Sequence, residues 1–421
     1  MDQGNTAFIL LAAALVLLMT PGLAFFYGGL VKAKSVISMM MMSFGAIGLI
    51  GVLWAIYGYA IAFPGAEGTL FPWAIDTGAI GLANVLEAPE GAAFPPLAFV
   101  AFQATFAIIT VALVSGAIAD RAKFGAWMVF AGIWATLVYF PVASWVFNFG
   151  LAEEGGFAYG GWTTHGLQEV FGLGVIDFAG GTAVHINAGA AALALALVLG
   201  KRVGFAKGAH VPHNPPFVLL GAGLLWFGWF GFNAGSELAA DNTAALAFVN
   251  TIVAPAAALL AWLVVEKIRD GKPTSIGAAS GAVAGLVAIT PACGSLTPMW
   301  AILLGVIAGA VCALAIDLKF KLGFDDSLDV VGIHLVGGLI GTLYLGFFAT
   351  GTGIFTGGDG TQLLVQAIAA LAVLVYSFVL AFIIGFVIEK TMGFRVKNED
   401  EIAGIDTVVH GEEGYVLADT K

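Results

Sequence analysis

The stretch Ile176-Asp177-Phe-Ala-Gly-Gly-Thr-Ala-Val-His185-Ile-Asn187, continuing as an apolar run to Gly200, decides how this chain is built. Beyond Asp177 it holds no Lys, Arg, Asp or Glu as far as Gly200. A helix needs about 20 mainly apolar residues to cross the hydrocarbon core of a bilayer. Residues 176–200 are therefore expected to form one membrane span. It carries two ionisable groups, Asp177 at its start and His185 within it.

Ten further runs of the same kind surround it. In chain order the expected spans are 6–30, 38–63, 97–119, 124–148, 176–200, 216–237, 243–265, 274–291, 297–316, 328–349 and 364–388. The composition agrees: of 421 residues, 60% are apolar and 10% charged, against about 25% charged in a soluble domain. The first run is not a secretion signal, since no Lys or Arg precedes it and it is too long for a signal core. It is expected to be a span broken at Pro21-Gly22. The 58 glycines suit helices that pack in lipid, where small residues let backbones approach. A net charge of -11 gives no basic footprint for nucleic acid. Cys293 and Cys312 are too few for a disulfide framework. The expected fold class is an all-α polytopic membrane protein of eleven transmembrane helices over residues 1–392, followed by a tail at 393–421.

Lys and Arg set the orientation of such a chain, because they collect in cytoplasmic loops. The loops after spans one, three, five, seven and nine hold Lys32 and Lys34; Arg121 and Lys123; Lys201, Arg202 and Lys207; Lys267, Arg269 and Lys272; Lys319 and Lys321. The C-terminal end holds Lys390, Arg395, Lys397 and Lys421. These are all sixteen Lys and Arg of the chain. The alternate loops carry acids instead: Glu67, Asp76, Glu87, Glu90, Glu153, Glu154, Glu169, Asp241 and Asp359. The N-terminus is thus expected outside and the C-terminus in the cytoplasm. One missed helix would break the alternation.

An internal repeat is also expected. Asp177-x7-His185 in span five is matched by Asp326-Ser-Leu-Asp329-Val-Val-Gly-Ile-His334 at span ten, and each His is followed four residues later by a glycine, Gly189 and Gly338. The two spans are five apart, so they run in opposite directions. That is the signature of an inverted-topology repeat with its site near the midplane. The halves are about 6–200 and 216–349, with 364–388 as an extra helix.

Ionisable residues inside a membrane are costly and mark functional sites by default. His165, His210, His213 and His410 fall in loops or the tail, where solvated surface suffices to explain them. His185 and His334 fall inside spans. A continuous helix from Asp177 would carry His185 about 12 Å inward, and His334 reaches a similar depth from the other side. Two such imidazoles, each with one donor and one acceptor nitrogen when neutral, could line a narrow pore. They suit a small polar molecule better than a bare metal ion, whose hydration shell they cannot replace. Two core histidines bonded to backbone are the plainer alternative. Aromatics gather at the outer ends of three spans: Phe102 and Phe106; Trp145 and Phe147; and Trp226, Trp229, Phe230 and Phe232 just before Ser236-Glu237. An interfacial belt and a cation-π cage for an ammonium-type ion both remain open on this evidence. No HExxH motif is present, and Gly358-Asp359-Gly360 lies in an outer loop. An enzyme is not expected.

Three strings carry a resemblance: Asp177-Phe-Ala-Gly-Gly-Thr-Ala-Val-His-Ile-Asn187, Gly228-Trp-Phe-Gly-Phe-Asn-Ala-Gly-Ser236 and Asp329-Val-Val-Gly-Ile-His334. With Pro21-Gly-Leu-Ala-Phe-Phe-Tyr-Gly-Gly29 and the tail they resemble the ammonium transporter (Amt/Mep/Rh) family, closest to its Amt branch. The resemblance covers nearly the whole chain. It implies a homotrimer in the inner (plasma) membrane with one central narrow pore in each subunit. It implies ammonium recruitment at Phe106, Phe147 and Ser236, flanked by Phe102 and Trp229. It further implies a gate of Phe106 and Phe232, a twin-histidine pore of His185 and His334, and supporting carboxylates at Asp177 and Asp329. The substrates implied are ammonium or ammonia, with methylammonium as an analogue. No cofactor or metal is expected. The tail, Glu401-Ile-Ala-Gly-Ile-Asp406 through Tyr415, resembles the family's cytoplasmic tail, which implies docking on a neighbouring subunit and a P-II-type regulatory protein as partner. The tail is short, so no fused sensor-transducer domain is expected.

One position departs from the pattern. The family often has Trp where this chain has Phe147, and Trp145 lies about 200° around the helix from it. The implied mechanism binds ammonium outside, deprotonates it, and passes ammonia inward with net charge movement. An electroneutral gas channel of Rh type and an ammonium receptor are the alternatives.

Overall fold

Apolar sequence becomes helix in lipid because only a helix, or a closed barrel, satisfies every backbone polar group internally. The computed structural model describes residues 1–64, 74–148, 152–153, 156–157, 161–205 and 211–415. Of the residues weighed above, Glu67, Glu154, Lys207, His210 and Lys421 lie outside the described residues. The described chain is nearly all helical: α1 Gln3–Leu30, α2 Ala33–Ala62, α3 Pro96–Ile118, α4 Phe124–Phe147, α5 Gly181–Leu199, α6 Pro215–Glu237, α7 Asn242–Arg269, α8 Ser275–Ile289, α9 Pro298–Leu322, α10 Val331–Phe348 and α11 Thr361–Thr391. Ten of these are long and apolar enough to cross a bilayer; α8 is the eleventh, with 15 residues. A hairpin pairs Ala152–Glu153 with Gly156–Phe157.

Two boundaries differ from the sequence expectation. α1 runs unbroken through Pro21; Gly22 instead lets α1 approach α6, where an added Cβ would sit 3.2 Å from the Leu225 amide nitrogen. α5 begins at Gly181, because Gly180 takes φ +113° and ends an extended approach. His185 therefore lies in the first turn of its helix, and the rise expected of a continuous helix from Asp177 does not apply.

The packing recurs in the two halves. α1 meets α3 as α6 meets α8, and α2 meets α4 as α7 meets α9. At the centre α5 crosses α10. A Cβ on Gly181 would meet Thr342 of α10, whereas one on Gly189 would meet Leu335. Contacts advance along α5 as they retreat along α10, so the two run antiparallel. α11 stands outside the repeat but holds it from the flank. Gln366 accepts from the amide of Ile176 at 2.7 Å and donates to its carbonyl at 2.8 Å. Gln362 donates to the Gly174 carbonyl at 3.1 Å, and Ser377 to that of Asn187 at 2.8 Å. Non-helical backbone at depth is tolerated only when protein groups satisfy it in this way.

Candidate functional site

Each of the two central helices, α5 and α10, opens on a carboxylate. Asp177 accepts from the amides of Gly180 (2.9 Å), Gly181 (2.5 Å) and Thr182 (2.8 Å), and from the Thr182 hydroxyl. These amides are the orphan donors of a helix N-terminus, which attract negative charge. Asp326 repeats the arrangement on α10, accepting from Val330 at 3.1 Å and Val331 at 2.7 Å. Asp326 was flagged only by the Asp-x7-His spacing. Asp329, the carboxylate singled out from the sequence, takes φ +64° and pairs with Lys319 at 2.5 Å.

Both histidines sit in π-turns, Gly181–Ile186 and Val331–Leu335, immediately before regular helix. π-turns re-aim one side chain and recur at functional sites. Here they turn the two imidazoles toward each other. Nδ1 of His185 lies 3.2 Å from Nδ1 of His334, with ring centroids 5.3 Å apart and planes 27° apart. Both are buried, at 1% and 3% exposure. Glycine makes the approach feasible: a Cβ on Gly338 would lie 3.1 Å from the His185 Cβ, and one on Gly189 would lie 2.5 Å from the Leu335 nitrogen.

Towards the end of α6, Phe106 and Phe232 stack at 4.1 Å with planes 18° apart. Phe147 meets Phe106 edge-on at 6.0 Å, and Phe102 lies 4.8 Å from Phe106. The Ser236 hydroxyl donates to the Phe232 carbonyl at 2.7 Å, which leaves its lone pairs free to accept. Trp229 adjoins this cluster through Phe232, ring centroids 5.6 Å apart, and reaches on to the histidines. Its indole stacks on His185 at 5.5 Å, planes 22° apart, and its Nε1 donates to Thr290 Oγ1 at 2.8 Å. Thr290 was not singled out from the sequence; a lone Thr at a helix end gives no local signal.

A narrow cavity is lined by Phe232, Trp229, His185 and His334 among apolar side chains such as Leu113 and Val184. The space open to the centre of a water-sized molecule is about 10 Å³, roughly what a single water fills. Its dry lining admits a small neutral molecule. It opposes a cation, whose transfer into an apolar medium costs on the order of tens of kcal/mol.

At the ends bearing Lys and Arg, two guanidiniums are buried rather than solvated. Arg202 bridges Asp120 at 3.1 Å and Asp325 at 2.9 Å. Arg121 donates to the Asp325 carbonyl at 2.6 Å and the Ser327 hydroxyl at 2.5 Å. Burial pulls the Arg121 guanidinium down to about 10. Burial also pushes at Asp325, but the Arg202 hydrogen bond and charge outweigh it and hold that carboxyl below its usual range. The tail continues this cluster within the same chain. Glu401 pairs with Arg395 at 2.9 Å, and Asp406 accepts from the amides of Ile37 and Ser38 at 3.0 and 2.7 Å. His213, expected at a solvated surface, is tied in as well: Nδ1 lies 2.8 Å from the Val31 carbonyl and Nε2 2.8 Å from the Tyr415 hydroxyl.

Known proteins resemble this chain along almost its whole length. The chain matches the Ammonium Transporter Family over residues 7–415. It is 54% identical to an ammonium transporter of Mycobacterium bovis, over 99% of this chain and 91% of that one. It is 43% identical to an ammonium transporter of Bacillus subtilis over 99% of both chains. The crystal structure of Candida albicans Mep2 superposes with a TM-score of 0.83 at 32% identity, covering 95% of this chain and 88% of that one. The chain belongs to the ammonium transporter family.

Proposed function

We propose that this chain takes up ammonium by recruiting NH4+ at the outer aromatic cluster, removing a proton there and conducting NH3 past the histidine pair. The observation that carries this is the grouping around one narrow, largely apolar cavity: Phe232 of the stacked phenyl pair, the Trp229 indole and two imidazoles in contact all line it. Phe106, Phe147 and the Ser236 lone pairs, with Phe102 behind them, form a cation-π and hydrogen-bond site for the ion. The Phe106–Phe232 stack excludes hydrated ions. His185 and His334 offer a passing molecule replaceable hydrogen bonds. Asp177 and Asp326 hold the starts of α5 and α10, and Asp329 ties α10 to Lys319. Potassium resembles ammonium in size but has no proton to lose, which is the basis of selection. Net charge follows by separate transfer of the proton, in contrast to an Rh-like gas channel. In this reading the protein is a homotrimer of the inner membrane, N-terminus outside, with its tail in the cytoplasm as the seat of control by a P-II-type regulator.

The test is current and uptake in liposomes holding purified protein, comparing ammonium, methylammonium and potassium. Wild type should carry current with ammonium and methylammonium and none with potassium. His185→Asp and His334→Asp place a carboxylate in the path and should admit potassium. Wild-type selectivity and rate in both variants would end the reading.

A further inference from the structure

His185 is held by unusually little. One ring nitrogen meets His334; the other, Nε2, is buried without a hydrogen-bond partner. Functional imidazoles are ordinarily oriented by a bond at the second nitrogen. Here the ring is held by flat surfaces: the Trp229 indole stacked at 5.5 Å and 22°, and the Phe232 ring, tilted and more distant, at 6.2 Å and 31°.

The nearer surface is itself latched. Trp229 of α6 is 2% exposed, and its Nε1–H reaches Thr290 Oγ1 at 2.8 Å. The polarity of the latch is fixed. The Thr290 hydroxyl spends its hydrogen on the Leu286 carbonyl at 2.8 Å, so its lone pairs face the indole, which can only donate. Thr290 closes α8 and is fully buried. The chain Leu286–Thr290–Trp229–His185–His334 thus crosses α8, α6, α5 and α10.

We propose that Trp229, latched by Thr290, is the positioning residue that sets the ring plane of His185 and so keeps its Nδ1 on His334. Without the latch the indole is free to turn about its side-chain torsions, and the imidazole loses the nearer wall it leans on. The bond between the histidines is then made only part of the time. Trp229 reaches the Ser236 side only through Phe232, 5.6 Å away, so maximal flux should suffer more than half-saturation. The inference rests on the transport reading given above.

Thr290→Val keeps the shape and removes the acceptor; Thr290→Ser keeps the acceptor. In liposomes, Thr290→Val should lower maximal ammonium flux about three- to tenfold, the range of one neutral hydrogen bond. Half-saturation should stay within about twofold, and Thr290→Ser should restore the flux. Trp229→Phe, which keeps a ring but loses the donor, should resemble Thr290→Val, and the double variant should be no worse than Trp229→Phe alone. Size-exclusion profiles establish that each variant is folded. The proposal is overturned by a folded Thr290→Val with wild-type flux. It is also overturned by a Thr290→Ser no better than Val, or by a loss expressed in half-saturation rather than maximal rate. A wild-type protein that fails to transport at all would count against the function itself, and so is distinguished from failure of the latch.

Discussion

Gly189→Ala tests whether helix crossing sets the histidine spacing. The added methyl would lie 2.5 Å from the Leu335 nitrogen and 2.7 Å from its Cα, where ordinary contact starts near 3.4 Å. Both obstacles are backbone, so no rotamer relieves them, and α10 must withdraw by about 0.9 Å. Leu335 is the neighbour of His334, whose Nδ1 sits 3.2 Å from that of His185. The same displacement takes the pair to about 4 Å, outside hydrogen-bond range. Overpacking of this kind costs about 1–3 kcal/mol, less than a typical protein's stability. Purified Gly189→Ala should be folded by size exclusion yet show reduced ammonium flux and relaxed exclusion of potassium in liposomes. Gly341→Ala supplies the contrast: its methyl would meet the Ala288 carbonyl at 2.0 Å, pushing α10 off α8 instead of α5. It should lower thermal stability, the larger clash giving the larger loss. A folded Gly189→Ala with wild-type flux and selectivity refutes the argument.

Ser236→Ala removes an acceptor for a charged donor, worth about 1.5–3 kcal/mol, and should raise half-saturation about ten- to hundredfold with maximal flux little changed. Phe147→Trp should lower it, since Trp is the better cation-π partner; unchanged concentration curves in both would place recruitment elsewhere. Single cysteines at Ile80 and Lys201 in a background without Cys293 and Cys312 should label from outside and from inside respectively, and the reverse pattern would invert the orientation. Because the Asp325 carboxyl is held below its usual range, its contribution to stability is present above about pH 4 and lost as pH falls through the lower, folded value. Asp325→Asn leaves Arg202 without its bidentate partner and should cost about 3–5 kcal/mol at pH 7. Melting in detergent between pH 3 and 7 should show a flattened acid limb for the variant; identical pH profiles would refute it.

The spans and the meeting of α5 with α10 were legible because they depend on periodic or repeated signals. Long apolar runs name their own helices, and Asp-x7-His with a glycine four residues on appears twice. What escaped was set by three-dimensional context. Nothing local to Trp229 shows that its ring touches both Phe232 and His185, since the sequence places it only on the α6 aromatic face. Arg121 and Arg202 read as loop charges by sequence, and burial against Asp120 and Asp325 makes them interior residues. Asp326 and Asp329 both precede His334 at plausible spacing, and only backbone geometry shows which one caps α10. Pro21 looked like a break, yet α1 absorbs it, because neighbouring helices can re-satisfy a freed carbonyl in a membrane.

The glutamines of α11 impose an order in time. The amide and carbonyl of Ile176 find their partner in Gln366, 190 residues later in the chain. At a synthesis rate of about 5–20 residues per second, roughly 10–40 seconds pass between the emergence of one and the other. During that interval the amide and carbonyl of Ile176 lack the Gln366 partner that the folded chain gives them. The protein completes the approach to α5 only when its last helix arrives, so a chain stopped short of Gln366 lacks the partner of Ile176 even with its first ten helices inserted.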